Sequence, residues 1–309
     1  MLEILKNPHF DFLGKTKYLL TLSGLIIVGG FSYMFANGIY FGTNPKGYGV
    51  EFSGGTQLIL HFEKSPETER IRASLPPDAT IQTYDDPSKN QVLVRLGAVD
   101  EHNLDQAAND AKAQIAAKYP ENKILDSSTE IVGPTVGADL RQKAIQLTVW
   151  GLVFQLLYIG WRFGGAIWGA AATLAVLHDV LVTIALLALF KYEITLNIIA
   201  ALLTLVGYSV NDTIVIFDRV RENMKSKKRE PLEKILNDSI NQTLTRTLIA
   251  SGMTLLAVLG LFLFGGEVLR GFGFTMVVGI IVGTYSTIYI ATPIVVWWDK
   301  YQARKTKSA

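Results

Sequence analysis

Apolar residues gather in six runs, each long enough to cross roughly 30 Å of hydrocarbon at about 1.5 Å per helical residue. The runs occupy residues 18–36, 142–160, 165–190, 195–217, 247–264 and 272–298, and five of them crowd into the C-terminal half. Between the first and second runs the pattern changes. Residues 50–62 read as a strand interrupted by Gly54 and Gly55, and residues 67–75 as a short helix. Residues 80–84 and 91–96 read as strands joined by the turn-rich DDPSKN. Residues 103–119 form an amphipathic helix with Leu104, Ala107, Ala108, Ala111 and Ile115 on one face, and residues 130–132 a closing strand. The order β-α-β-β-α-β predicts a ferredoxin-like α+β sandwich. The expected fold class is therefore a multi-pass α-helical membrane protein with six transmembrane helices and one exported α+β ferredoxin-like domain.

Composition agrees with that pattern. The 309 residues are 49% hydrophobic, with mean hydropathy +0.28. The net charge of +2 leaves no nucleic-acid footprint. Cysteine is absent, so an exported domain must fold on its core alone. Residues 34–36 lack a small-x-small cleavage pattern, which makes the first run a retained anchor rather than a signal peptide.

Charge orients the chain. Lys6, Lys15 and Lys17 precede the first run, Arg162 lies between the second and third, and eight Lys and Arg fall from Arg219 through Arg246. The short loops on the opposite side hold only Lys191 and Arg270. Excess Lys and Arg marks the cytoplasmic side. The expected layout is a cytoplasmic N-terminus (1–17), a first helix (18–36), an exported domain (37–141), a five-helix membrane domain (142–298) with a cytoplasmic loop (218–246), and a cytoplasmic tail (299–309). Arg141 and Lys143 stand on the wrong side of this rule.

Charges inside the apolar runs carry the candidate chemistry. Asp212 is the only charged residue of run 195–217, and a carboxylate at mid-helix costs about 3 kcal/mol on insertion scales. Arg246 opens the next run on the same side, at a height that suits an ion pair with Asp212. Attraction to the guanidinium and dehydration would then oppose each other at that carboxyl. His178 and Asp179 sit near the middle of the third run. Hairpin counting offsets Asp179 from Asp212 by about seven residues, roughly 10 Å, so a water-linked relay is expected rather than direct contact. Gly271, Thr275, Gly279, Gly283, Thr287 and Ala291 repeat at every fourth position and predict close helix packing, centred on Gly279 and Gly283. Glu233, Ile235, Leu236, Ser239 and Ile240 predict a short amphipathic helix at the inner surface. His61 and His102 stand isolated, and no metal-ligand cluster or cofactor motif is evident.

Several of these stretches together carry a resemblance. The run GYSVNDTIVIFDRVREN at 207–223, NQTLTRT at 241–247, GPTVG at 133–137, His178-Asp179-Val180 and Gly283-Thr284-Tyr285-Ser286 resemble the SecF family of protein-export membrane subunits, over nearly the whole chain. Glu51 stands where that family usually has Asp. The resemblance implies a fold related to the resistance-nodulation-division transporters and pairing with SecD. It also implies a role beside the SecYEG channel, with YajC and YidC as further partners, acting on unfolded preprotein in the bacterial inner membrane. In that family the positions of Asp212 and Arg246 belong to a proton path, which His178 and Asp179 would extend. Three other readings are weighed against it. One is a proton-coupled small-molecule efflux half-transporter, and another is a structural scaffold. The third, an intramembrane aspartyl protease using Asp179 and Asp212, is disfavoured because the two acids are expected at different depths and because Asp212 lies in Ser-Val-Asn-Asp rather than Gly-x-Gly-Asp.

Overall fold

A computed structural model of the chain describes residues 8–40, 47–76, 79–84, 87–97 and 104–308. Lys6, Asp85, Asp86, His102 and Asn103, named above, lie outside the described residues. The long apolar runs fold as helices, because in hydrocarbon only a helix satisfies its own backbone. Helix α1 is Thr16–Asn37 and ends at Gly38 in the left-handed region. The others are α5 (Pro134–Phe163), α6 (Ala166–Leu189), α7 (Leu196–Ser226), α8 (Leu232–Phe264), α9 (Gly266–Ser286) and α10 (Thr292–Ser308). A π-helical turn, Thr287–Ala291, joins α9 to α10, so the sixth apolar run is one long interrupted helix. Pro293 lies two residues beyond that turn, and a proline inside a helix removes one ladder hydrogen bond and crowds the preceding turn. Among the described residues there are thus six helices long and apolar enough to cross a membrane.

The α+β domain is inserted between α1 and α5. It comprises α2 (Val50–Ser53), β1 (Gly55–Phe62), α3 (Thr68–Arg72), β2 (Thr80–Tyr84), β3 (Gln91–Leu96), α4 (Leu104–Lys118) and β4 (Ile124–Val132). Its sheet is antiparallel throughout, in the order β2-β3-β1-β4, with Leu58 opposite Val94 and Leu60 opposite Val92. That order brings the first and third strands together in the centre, as the βαββαβ pattern predicts. One face of the sheet packs Leu58, Leu60, Phe62, Ile81, Val92 and Val94 against Ile71, Ala108, Ala111 and Ile115 of the helices. Two sequence-based boundaries change. Residues 50–53 are helical rather than strand, because Gly54 and Gly55 take φ of 73° and 125° and turn the chain before the sheet begins. The closing strand starts at Ile124, well before Glu130.

The chain entering and leaving this domain is clamped. A side chain on Gly54 would lie 2.7 Å from the Cα of Pro134, where α5 begins. The α6–α7 loop is fastened to the same root. Ile194 exchanges backbone hydrogen bonds with Gly47 (2.7 Å) and Gly49 (2.9 Å), and Tyr40 donates its hydroxyl to the Tyr192 carbonyl at 2.6 Å. Burial pushes the Tyr40 phenol well above its ordinary pKa, so it remains a donor across the physiological range. Arg95 of β3 forms an ion pair with Glu193 of the loop.

At the other end of the bundle α7 and α8 continue beyond the apolar runs. The expected separate surface helix at 233–240 is the first part of α8, which runs unbroken because no glycine or proline separates it from Thr247. Its buried face (Ile235, Leu236, Ile240) packs with Phe217 and Val220 of α7. Asn237 and Asn241 hydrogen-bond the backbone of Phe10 and Phe12, tying the N-terminal segment to α8.

Helix contacts rest on small residues. Gly279 and Gly283 of α9 face Leu205 and Ser209 of α7. Close helix-to-backbone approaches lie elsewhere, at Gly169, where an added Cβ would sit 2.5 Å from the Leu156 carbonyl, and at Gly273, where it would sit 2.8 Å from the Phe262 backbone. We expect Gly169→Ala to destabilise the folded chain by about 1–3 kcal/mol, because a carbonyl in α5 cannot move aside. Gly279→Ala should cost clearly less, because only the tip of Leu205 must rotate. Thermal unfolding of the two variants in detergent measures the difference, and equal losses would contradict the backbone argument.

Candidate functional site

Four helices bring their polar residues to one place in the middle of the bundle. Asp179 of α6 is 0% exposed. Its carboxylate accepts hydrogen bonds from Ser209 Oγ of α7 (2.5 Å) and Ser286 Oγ of α9 (2.8 Å), and His178 Nδ1 lies 3.0 Å from its other oxygen. The Nε2 of His178 is buried without a hydrogen-bond partner, and its ring lies against Tyr285. Tyr285 in turn donates to the Leu19 carbonyl of α1 at 2.5 Å.

Asp212 is 5% exposed and lies one turn further along α7. Its Oδ2 accepts from Ser251 Oγ of α8 at 2.9 Å. Thr284 of α9 turns a buried hydroxyl toward the same carboxyl. The hydroxyls of Thr213 and Thr287 meet at 3.0 Å just below. Residues 283–287 of the last long helix therefore face both carboxyls. The π turn begins within that stretch, a position where such turns often accompany function.

Two expectations need correction. Asp212 and Arg246 form no ion pair. Arg246 is exposed on the outward face of α8, while the inward face offers Thr247 and Ser251. Gln242, Thr245 and Arg246 do share a face, but Gln242 accepts a hydrogen bond from Asn223 of α7 at 3.0 Å while Arg246 is left exposed. The offset between the two acids is also smaller than hairpin counting gave. Asp179 meets Ser209, only three residues before Asp212, which is about 4.5 Å along the helix. The count assumed that α6 and α7 leave their loop level with each other. The six loop residues pinned to the domain root let them stagger instead.

Sequence reading did not single out Ser209, Ser251, Thr284 and Ser286 as partners of the acids. Their signal is faint: hydroxyl residues, each beside a glycine or a further hydroxyl, within apolar helices. Chemically the arrangement suits holding a proton at a carboxyl, with hydroxyls that both donate and accept. Among the described residues no group of His, Asp and Glu converges as a metal site.

Comparison with known proteins is consistent over the whole chain. Residues 111–301 match the family described as protein export membrane protein SecD/SecF, C-terminal. The protein translocase subunit SecF of Calditerrivibrio nitroreducens is 40% identical over 301 residues, covering 95% of this chain and 96% of that one. The SecF of Rhodothermus marinus is 37% identical, covering 96% and 95%. The crystal structure of SecDF from Thermus thermophilus, titled a translocon-associated membrane protein, superposes with a TM-score of 0.82 at 36% identity. It covers 95% of this chain, which spans 39% of that longer one.

Removing the Asp179 carboxylate leaves the Ser209 hydroxyl and the His178 imidazole without this acceptor, and Ser286 with only the Gly283 carbonyl at 3.1 Å. We expect Asp179→Ala to lose about 1–3 kcal/mol of stability. Asp179→Asn, which keeps an acceptor oxygen, should lose less. Thermal unfolding in detergent should rank the two, and an Asp179→Ala variant as stable as the parent would mean that these bonds contribute nothing.

Proposed function

This chain belongs to the SecD/SecF protein-export family, and from that premise we propose that it couples proton flow across the bacterial inner membrane to late-stage preprotein translocation. The family and its SecF relatives support an accessory role in Sec protein export. The single-chain SecDF relative supports association with SecD. SecYEG, YajC, YidC and unfolded preprotein are the further partners proposed with it. In this reading both termini lie in the cytoplasm and the α+β domain is exported, as the charge distribution favours. The role is mechanical rather than enzymatic.

One observation carries the proposal. Two carboxyls of 0% and 5% exposure share a hydroxyl-lined cluster, and the helices that bear them are joined by a loop fastened to the root of the α+β domain. Ionisable groups at such depth are kept for ion or proton pathways. Adding or removing a proton at Asp212 changes its bonds to α8 and α9. A shift of α7 is then passed by the 190–195 loop to Gly47, Gly49 and Tyr40. His178 and Asp179 extend the path toward Tyr285.

Arg246 takes part from outside. It lies on a face of α8 that this chain leaves uncovered, and α5 likewise buries few of its side chains. A second six-helix subunit set there would bring Arg246 into a shared interior near Asp212.

The decisive experiment measures preprotein export into inverted membrane vesicles with and without a proton gradient. Asp212→Asn should abolish the gradient-dependent stimulation while SecD still co-purifies. Full stimulation by that variant would overturn the proposal and leave a scaffold as the remaining reading.

A further inference from the structure

A second feature of the bundle has no place in that scheme. An apolar cavity of about 400 Å³ opens between α1, α5, α6 and α7 on the side facing the α+β domain. Its walls include Phe31, Ala144, Leu152, Leu181, Leu202 and Val206. Along the wall the Thr148 hydroxyl is spent on the Ala144 carbonyl at 2.9 Å, and the other polar side chains, Arg141, Tyr40 and Tyr48, stand at the rim. The Arg141 guanidinium lies 5.7 Å over the Tyr48 ring. Arg141 is half-buried and has no carboxylate partner among the described residues, because its neighbour Asp139 pairs with Lys143 at 2.7 Å.

We propose that this cavity binds one anionic phospholipid, with an acyl chain in the apolar cleft and the phosphate on Arg141. Length, volume and charge select this occupant. From Arg141 to Leu152 is eleven residues, about 16 Å along a helix, or half of the roughly 30 Å hydrocarbon core. The cleft therefore spans one leaflet, which is the reach of one acyl chain. A membrane-spanning helix about 10 Å across and 30 Å long would fill on the order of 2,000 Å³, several times the space available. An uncharged hydrophobe would leave Arg141 without a counter-ion at the membrane surface, whereas a phosphate supplies charge-assisted hydrogen bonds. The same contact explains why an arginine sits against the charge rule at the start of α5.

The lipid has a structural consequence. α6 turns Leu177, Val180, Leu181 and Ile184 to the cavity and Asp179 to α7 and α9. A bound tail lines the back of the helix that carries the buried acid and keeps water from that flank.

The test is native mass spectrometry of the delipidated full chain, titrated with phosphatidylglycerol and, separately, with phosphatidylethanolamine. The parent protein should retain one phosphatidylglycerol in preference to phosphatidylethanolamine. Arg141→Gln should weaken phosphatidylglycerol retention about tenfold, the scale of one charge-assisted hydrogen bond, and Arg141→Lys should keep most of it. Ala144→Trp should block the cleft to either lipid, with thermal unfolding recorded to show that each variant is folded. Equal retention by all variants, or no preference for the anionic headgroup, overturns the proposal. So does an Ile145→Cys variant that cross-links to a partner protein in native membranes at the expense of bound lipid.

Discussion

The carboxylate of Asp179 sets the geometry of the membrane bundle. It is wholly buried, and a carboxyl in that position is tolerated only when its lone pairs are taken up. The donors come from two other helices, Ser209 on α7 and Ser286 on α9. Turning either helix by one residue would carry its serine about 100° away and strand the acid. Three helices are thereby fixed in rotational phase by one side chain. Gly283, packed against Ser209, lets them come close enough for the bonds to form. The placement of Asp212 toward α8 and α9 follows from the same phase, because it lies three positions beyond Ser209 on α7.

Much of the architecture is readable in the sequence because the bilayer reduces it to length and hydropathy. Six apolar runs give six helices, and the alternation between them gives the ferredoxin-like strand order. The face of α4 is equally plain, since Leu104, Ala108, Ala111 and Ile115 repeat with helical period and are buried. The interior of the membrane domain is harder to read. Its helices are apolar on every side, so periodicity does not say which way Arg246 or Ser251 points, and the Asp212–Arg246 ion pair was expected on height alone. Height fixes only one of the two cylindrical coordinates, and rotation places Arg246 on the outside. The stagger of α6 and α7 depends on contacts between the 190–195 loop and residues 40–49, far away in sequence, which no local pattern reveals.

Those loop contacts join the two parts of the molecule. Backbone hydrogen bonds at Gly47, Gly49 and Ile194 hold the linkage rigid, and the Arg95–Glu193 ion pair adds a second attachment on the sheet. Packed helices deform little and instead shift between discrete arrangements. In the proposed mechanism a rearrangement around the acids would reach the domain through this short path of hydrogen bonds rather than through a flexible tether.

The π turn between α9 and α10 stores a spare residue. Expelling that residue into the neighbouring helix would re-phase everything beyond it by about 100° without breaking the chain or lengthening the span. Ile288, Ile290 and Ala291 would then present different surfaces to their neighbours. The last helix of the bundle thus contains a built-in vernier, seated one step past Ser286, able to take up rotation without breaking the chain.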